Sequence, residues 1–325
     1  MMIDLPSPES ICILSLGPIG DAVLTTPLLF GLRDHFPGAT ITVVSGPRNR
    51  EVFDASLAVD EVCVIRNTAV GIADAVRLIL RRRWDLYIDT KDHASSTSRL
   101  LAALFRYRTG LVHPKNFPAL RSTILLPPAD GPHFVDSVLT PLTTLDLSLP
   151  EQRGPRLTGQ DRSTAPINSG NRGVVRILMN VSAGERDRMW RREAWQELLG
   201  ILGERDHIEI ALLSAPSDRD LAHEIASGTK AVVLETPRLR DMFDAIAGMN
   251  LVVTPDTSVV HVASAFNVPT VALFSSDTTN RKRFAPLAER SRTLQSEIDD
   301  GGIRGIDVEH VARAVDELLS EISAE

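Results

Sequence analysis

The chain has 325 residues, more than one domain usually holds, so two domains are the default expectation. An apolar content of 43% with 24% charged residues excludes global disorder, and a formal net charge of −7 argues against nucleic acid as a general partner. Cys12 and Cys63 each lie in an apolar run with no Cys-x-x-Cys spacing, which points to a reducing compartment and to no thiolate metal site.

Residues 1–10 carry acids and prolines and no basic n-region, so they do not read as a signal peptide. The run 11–16 then reads as a strand buried on both faces. Gly17 and Pro18 break it, and Gly20-Asp21 opens a helical pattern through Ala22, Val23, Leu24, Leu28, Leu29 and Leu32. This strand, turn and helix form the first unit of a βαβ layer, and the turn lies where open α/β sheets bind ligands. It delivers Asp21, a carboxylate at a helix start. The plainer reading of Asp21 is an acid favoured by the helix dipole.

Further strands are expected at 40–45, 61–65 and 85–89, with helical patterns between them, a helix at 95–105 and a strand at 109–113. The helix before the fourth strand is expected to end in Arg81-Arg82-Arg83. From 147 to 172 periodicity fades among glycines and prolines, so 1–150 is expected as one domain, 151–173 as a linker and 174–325 as a second domain. Alternation restarts with a strand at 174–179 and a helix at 192–202. Strands follow at 208–213, 231–234, 251–254 and 270–274, and an amphipathic helix closes the chain at 307–322. Residues 257–276 are uncharged and long enough to span a bilayer. His261, Asn267, Pro269 and several hydroxyl residues make helix, loop and strand the better fit. The alternation predicts two similar α/β domains with mostly parallel sheets. The two halves show no sequence repeat.

Three constellations could carry chemistry. The strand 251–254 runs through Pro255 into Asp256-Thr257-Ser258, which starts a short helix carrying His261. Backbone N–H groups at such a start, with hydroxyls beside them, suit a phosphate; the plainer readings are N-capping and a packed histidine. After the strand at 174–179, Ser182 and Gly184 form a turn and Arg188 precedes Trp190. A cation there suits a departing diphosphate, and the plainer reading is an arginine stacked on Trp190. Asp218-Arg219-Asp220 has a spacing used for divalent metals, and Ser217-x-x-Asp220 reads equally as a capping box. Between Arg66 and Arg121 stand eleven Lys and Arg against four Asp, a surplus of seven positive charges in an acidic chain. Such a window is either a solvated face or a surface for an anionic acceptor or membrane. Dinucleotide, P-loop and zinc signatures are absent.

Read together, Ile19-Gly20-Asp21-x-x-Leu24-x-Thr26-Pro27, Arg188-x-Trp190, and Asp256-Thr257-Ser258-x-x-His261 through Val268-Pro269-x-Val271-Ala272-Leu273-Phe274 resemble glycosyltransferase family 9, the bacterial heptosyltransferases of lipopolysaccharide assembly. The resemblance covers nearly the whole length. It implies a GT-B fold, two Rossmann-like domains with parallel sheets facing across a cleft. It implies an inverting, metal-independent transfer with no cofactor. Asp21 would be the catalytic base, and Ser182, Arg188, Asp256, Thr257, Ser258 and His261 would hold the nucleotide sugar. Gly20, Lys91 and Arg99 would face the acceptor. Helix N-termini at Ser182 and Thr257 would receive the leaving diphosphate. The donor expected first is an ADP-linked heptose and the acceptor an anionic glycolipid or glycan, at the cytoplasmic side and compatible with peripheral contact at the inner membrane. Arg188 stands where the family usually has Lys, Ser258 where it has Gly, and Gly17-Pro18 where the turn is commonly Ser-rich. Two alternatives stay open: a GT-B nucleotide-sugar epimerase, and a degenerate member that binds a sugar nucleotide without turning it over.

Overall fold

The computed structural model describes residues 7–66, 68, 71, 77, 82–117, 123–157, 173–298 and 302–323. They fall into two compact units, Met1–Thr158 and Gly159–Glu325.

In the first unit, β1 (Ser10–Ser15), β2 (Thr40–Ser45), β3 (Glu61–Val64), β4 (Trp84–Asp89), β5 (Tyr107–Val112) and β6 (Thr123–Leu125) form one sheet in the order β3-β2-β1-β4-β5-β6. Every pairing is parallel. Central β1 is buried on both sides, as a strand covered by helices above and below must be: Ile11, Cys12, Ile13 and Leu14 are all within 1% of full burial.

Helix α1 (Ile19–His35) buries residues 22–29 without a break. Pro27 sits inside it, where the missing N–H leaves the Val23 carbonyl without its helical donor. The Thr26 hydroxyl takes that place, donating to Val23 O at 2.7 Å, and its oxygen accepts the Arg156 N–H at 2.8 Å. The Thr-Pro pair thus closes its own gap in the helix and pins the end of the unit. Gly31 brings α1 against α4 (Phe134–Thr144): a Cβ there would lie 2.6 Å from a Leu142 methyl.

The second unit repeats the plan. Strands β7 (Val175–Asn180), β8 (Ile208–Leu213), β9 (Val232–Val233), β10 (Leu251–Pro255), β11 (Thr270–Phe274) and β12 (Ser291–Gln295) are ordered β12-β11-β10-β7-β8-β9, again all parallel. Counted within each unit, both sheets have the doubly wound order 3-2-1-4-5-6. The core of the second unit packs Trp195, Leu198 and Leu202 of α5 (Arg192–Gly203) with Val311, Val315 and Leu318 of α10 (Val308–Ser323).

The strands at 40–45, 208–213 and 270–274 keep their expected bounds, and the other expected strands differ from theirs by one or two residues at an end. The uncharged run at 257–276 becomes α8 (Ser258–Ala265) and β11, and among the described residues no helix is long and apolar enough to cross a membrane. Arg81 lies outside the described residues, as do 158–172 of the expected linker. Arg82 and Arg83 are irregular rather than a helix end. The Arg82 guanidinium pairs with Glu61 of β3 and lies 5.6 Å over the Trp84 ring. Residues 155–157 are not loose linker: Leu157 is buried, and Arg156 lies over the Phe30 ring at 5.3 Å.

Candidate functional site

In each unit the strand order reverses beside the first strand, between β1 and β4 and between β7 and β10. Loops leaving those two strands diverge to opposite faces of the sheet, and the opening between them is where such sheets bind ligands. The expected site residues gather at these two places.

In the first unit β1 ends at Ser15 and the turn Leu16-Gly17-Pro18 leads into α1. Asp21 stands in the first turn, with 22% of its side chain exposed. Gly17 is what lets it sit there, because a Cβ on residue 17 would come within 2.7 Å of Asp21 Oδ2 and 3.0 Å of its Cβ. Asn49, fully buried, donates from Nδ2 to Ser15 O at 3.0 Å and Gly17 O at 3.1 Å, bracing the turn from below. Gly20, half-buried, adjoins Asp21.

From β4 comes Lys91, whose Nζ lies 3.9 Å from Asp21 Oδ2. Thr90 ties the two strand ends together, its N–H and hydroxyl both donating to Leu14 O, at 3.2 and 3.0 Å. Asp89 is 1% exposed; its Oδ1 accepts the Lys91 N–H at 3.0 Å and the Ser98 hydroxyl at 3.5 Å. Burial pushes the Asp89 carboxyl up to about 6, against the opposing pull of the Lys91 N–H, Ser98 and the Lys91 charge. Arg99 lies on the exposed side of α3 (Ser96–Leu104), while Ser98 beside it turns inward to Asp89.

In the second unit Asn180 ends β7 at 3% exposure and is the hub. Its Nδ2 reaches Ser182 O at 3.1 Å, Thr254 Oγ1 at 3.0 Å and Thr257 Oγ1 at 3.1 Å, joining both sides of the reversal point. Ser182 is buried, and its Oγ accepts the Ala215 N–H at 2.8 Å. It does not begin a helix as expected: an irregular stretch and a short 3-10 turn (Arg186–Arg188) separate it from α5. Thr257 is the N-cap of α8, accepting the Val259 N–H at 3.3 Å, and Ser258 is the first helical residue. His261 is buried, its ring tilted against Phe284 at 6.0 Å.

Arg188 turns to Asp256, Nη1 to Oδ2 at 3.5 Å, and to Glu185 at 3.4 Å. The plainer expectation of stacking on Trp190 fails because Trp190 is inside the core. Its indole N–H donates to Ile306 O at 3.0 Å and its ring meets Trp195 edge-on. Asn280, at the start of α9 (Thr278–Phe284), donates from Nδ2 to Asp256 Oδ2 at 2.6 Å. Burial raises the Asp256 carboxyl, and Asn280 and Arg188 pull it back down. A polar pocket of ≈ 480 Å³ opens here, lined by Glu185, Asp187, Arg188, Ser275, Ser276, Asp277 and Asn280.

Ser217 and Asp220 do not form the expected capping box. Asp218 occupies the N-cap position of α6 (Arg219–Ala226), and the Ser217 hydroxyl donates to it at 3.3 Å. Among the described residues no group of three or more His, Cys, Asp or Glu side chains could hold a metal ion. Three bases of the basic window have acidic partners: Arg82 pairs with Glu61, Arg108 with Asp85 at 3.6 Å and Lys91 with Asp21. Asn49, Asp89, Asn180 and Asn280 were not among the expected site residues. A lone Asn or Asp at a strand or helix end gives no periodic signal; only its position at the carboxyl end of a buried run marks it.

Two parallel doubly wound sheets, each with buried polar groups at its reversal point, are the two Rossmann-like units of a GT-B fold. The solved glycosyl transferase family 9 protein from Veillonella parvula DSM 2008 superimposes with a TM-score of 0.84 at 21% identity, covering 98% of this chain and 99% of that one. The E. coli heptosyltransferase WaaC solved with ADP gives 0.78 at 17% identity, covering 95% and 99%. A putative UDP-N-acetylglucosamine 2-epimerase from Listeria monocytogenes follows at a TM-score of 0.56 and 16% identity, covering 97% and 88%. In sequence, the E. coli lipopolysaccharide heptosyltransferase 3 is 22% identical over 273 residues, 78% of this chain and 80% of that protein. The model of glycosyltransferase family 9 (heptosyltransferase) matches residues 73–301. The chain belongs to that family and is a glycosyltransferase.

Proposed function

We propose that this glycosyltransferase transfers a heptose from an ADP-linked donor to an anionic glycan acceptor of the lipopolysaccharide-core type, with inversion and without a metal. The observation that carries the reading is the Asp21–Lys91 pair at the reversal point of the first sheet, with Gly17 leaving room for the Asp21 side chain. The names of the relatives, lipopolysaccharide heptosyltransferases and a heptosyltransferase solved with an ADP-linked fluoro-heptose, supply the donor and acceptor class.

In this mechanism Asp21 accepts the proton of an acceptor hydroxyl as its oxygen attacks the anomeric carbon. The bond from that carbon to the diphosphate oxygen breaks on the opposite face, which inverts the centre. The departing nucleoside diphosphate carries the growing negative charge. Arg188, the Thr257 and Ser258 hydroxyls and the N–H groups that open α8 are the groups to receive it. Asp256 and Asn280 set the Arg188 guanidinium in place, so fixed cationic charge does what a metal ion would otherwise do. Lys91 brings a positive charge to the acceptor side, which suits an anionic glycan; Gly20 and exposed Arg99 belong to the same side. Work at the cytoplasmic face of the inner membrane is consistent with such an acceptor.

Asp21→Asn tests the base. Turnover of ADP-heptose with heptose-deficient lipopolysaccharide should fall by about 10²–10⁴-fold. ADP affinity should stay within about twofold, because the nucleotide residues lie in the other unit. Wild-type turnover by the variant would return Asp21 to a helix-start acid. Donor consumption with no acceptor present would instead favour epimerase chemistry.

A further inference from the structure

The buried carboxylate beside the proposed base has no part in the mechanism above. Asp89 closes β4, and its Oδ1 accepts the N–H of Lys91 two residues on. Its Oδ2 is buried with no hydrogen-bond partner among the described residues. Asn116, also fully buried, holds the carbonyl side of the same residue, donating from Nδ2 to Lys91 O at 3.4 Å and to His93 O at 3.0 Å. Asn116 Oδ1 accepts the N–H of Ser95, the N-cap of α3. The Lys91 backbone is therefore clamped from both sides, and its ammonium ends at Asp21. Burying a carboxylate with one oxygen unpaired is costly, so a purely structural turn would be better served by Asn or Ser.

We infer that Asp89 is a positioning residue for the Lys91–Asp21 pair, its buried charge holding Lys91 through the backbone N–H and through the ammonium. The inference rests on the reading of Asp21 as the base. Facing Asp89 are Lys91 from the loop, the Ser98 hydroxyl from α3, and Leu14, its partner on β1. On its own strand is Tyr87, whose phenol is raised first by burial and then by the Asp89 charge. Lys91 is the cation in this group, so protonating Asp89 loosens its hold on the lysine. That change is centred at about pH 6.

The test uses the whole chain and two readouts. By ¹H–¹⁵N NMR, the Lys91 amide should shift with a midpoint near pH 6, and the titration should vanish in Asp89→Asn, which keeps the acceptor oxygen and removes the charge. In turnover with ADP-heptose and heptose-deficient lipopolysaccharide, Asp89→Asn should lose an acidic limb near pH 6. Asp89→Ala should lose about 10–100-fold in kcat, with the donor KM within about twofold, as expected for a displaced catalytic group. A Lys91 amide that does not titrate, or titrates alike in Asp89→Asn, overturns the inference even if Asp21→Asn is inactive. An active Asp21→Asn overturns the base and leaves the NMR coupling standing, so the two failures are distinct.

Discussion

Gly17→Ala probes the geometry of the proposed base without touching its chemistry. The backbone of residue 17 is outside the left-handed region, so alanine brings no φ strain. What it brings is a methyl 2.7 Å from Asp21 Oδ2 and 3.0 Å from Asp21 Cβ, where ordinary contact begins at 3.4 Å. The carboxylate has to withdraw by the difference, 0.7 Å at its oxygen. The oxygen can do so by rotating toward solvent, while the contact with Cβ takes a shift of a few tenths of an ångström in the turn, so the fold loses about 1 kcal/mol. A reacting group displaced by about 1 Å can cost about 10²-fold, so a loss of about 10–50-fold in kcat is expected. The assay is steady-state ADP release from ADP-heptose with heptose-deficient lipopolysaccharide, beside ADP affinity by calorimetry and a thermal melt. Unchanged ADP affinity and little-changed melting with depressed kcat is the expected pattern. A kcat within twofold of wild type would refute the argument that Gly17 sets the position of a catalytic carboxylate.

Two further outcomes follow from buried polar groups. Asp89 has a folded pKa of about 6 against an ordinary 3.8, so the folded state holds its proton more tightly than the unfolded chain. Its ionisation therefore weakens the fold as pH rises through that interval, by about 2 kcal/mol between pH 4.5 and 7. Asp89→Asn should gain about that much on wild type over the same change of pH, read from urea midpoints by Trp84 emission in a Trp190→Phe/Trp195→Phe background. A difference independent of pH would refute it. Thr26→Val removes the donor to Val23 O and the acceptor for Arg156 N–H at one stroke, and should cost about 2–4 kcal/mol in the same measurement. A cost below about 1 kcal/mol would mean the Pro27 gap is filled another way.

The layer pattern was legible because its signal is collective. Runs such as 11–14 and 251–254 are apolar throughout, and only a strand covered on both faces needs that. Elements whose signal is weak or borrowed were not specified. Strand β6 has three residues, and β12 (Ser-Arg-Thr-Leu-Gln) is a half-buried edge strand with mixed polarity. Helix α4 carries Pro141 and is capped by His133, whose Nδ1 accepts the Val135 N–H at 3.1 Å, in place of the usual Ser, Thr or Asp. At the site, residues with a motif around them were read, and their supports were not. Asp21 follows a glycine turn and Thr257 follows a buried strand, both local facts. Lys91 against Asp21, or Asn280 against Asp256, pairs residues 70 and 24 positions apart, and only the strand order brings them together.

The two sheets share one topology and place their charge differently, and that contrast is the strongest argument for a division of labour. At the reversal point of the first sheet stand two carboxylates, Asp21 and Asp89, and an ammonium, Lys91; one carboxylate is partly exposed and the other fully enclosed. That set suits taking a proton from a hydroxyl, since a base needs access and a fixed partner. At the reversal point of the second sheet a neutral set of amides and hydroxyls, Asn180, Ser182, Thr254 and Thr257, is locked together beside the N-terminus of α8, next to the charged groups Arg188, Asp256 and Glu185. Its guanidinium, Arg188, is already paired with Asp256 and Glu185. Neutral donors beside a cation already paired with carboxylates suit a diphosphate that must first bind and then leave, because an unscreened cluster of cations would hold the product as tightly as the transition state. The same backbone plan, used twice with no trace of sequence repetition, therefore fits the proton acceptor proposed for one unit and the anion receiver proposed for the other, which is the pairing a glycosyl transfer to a hydroxyl requires.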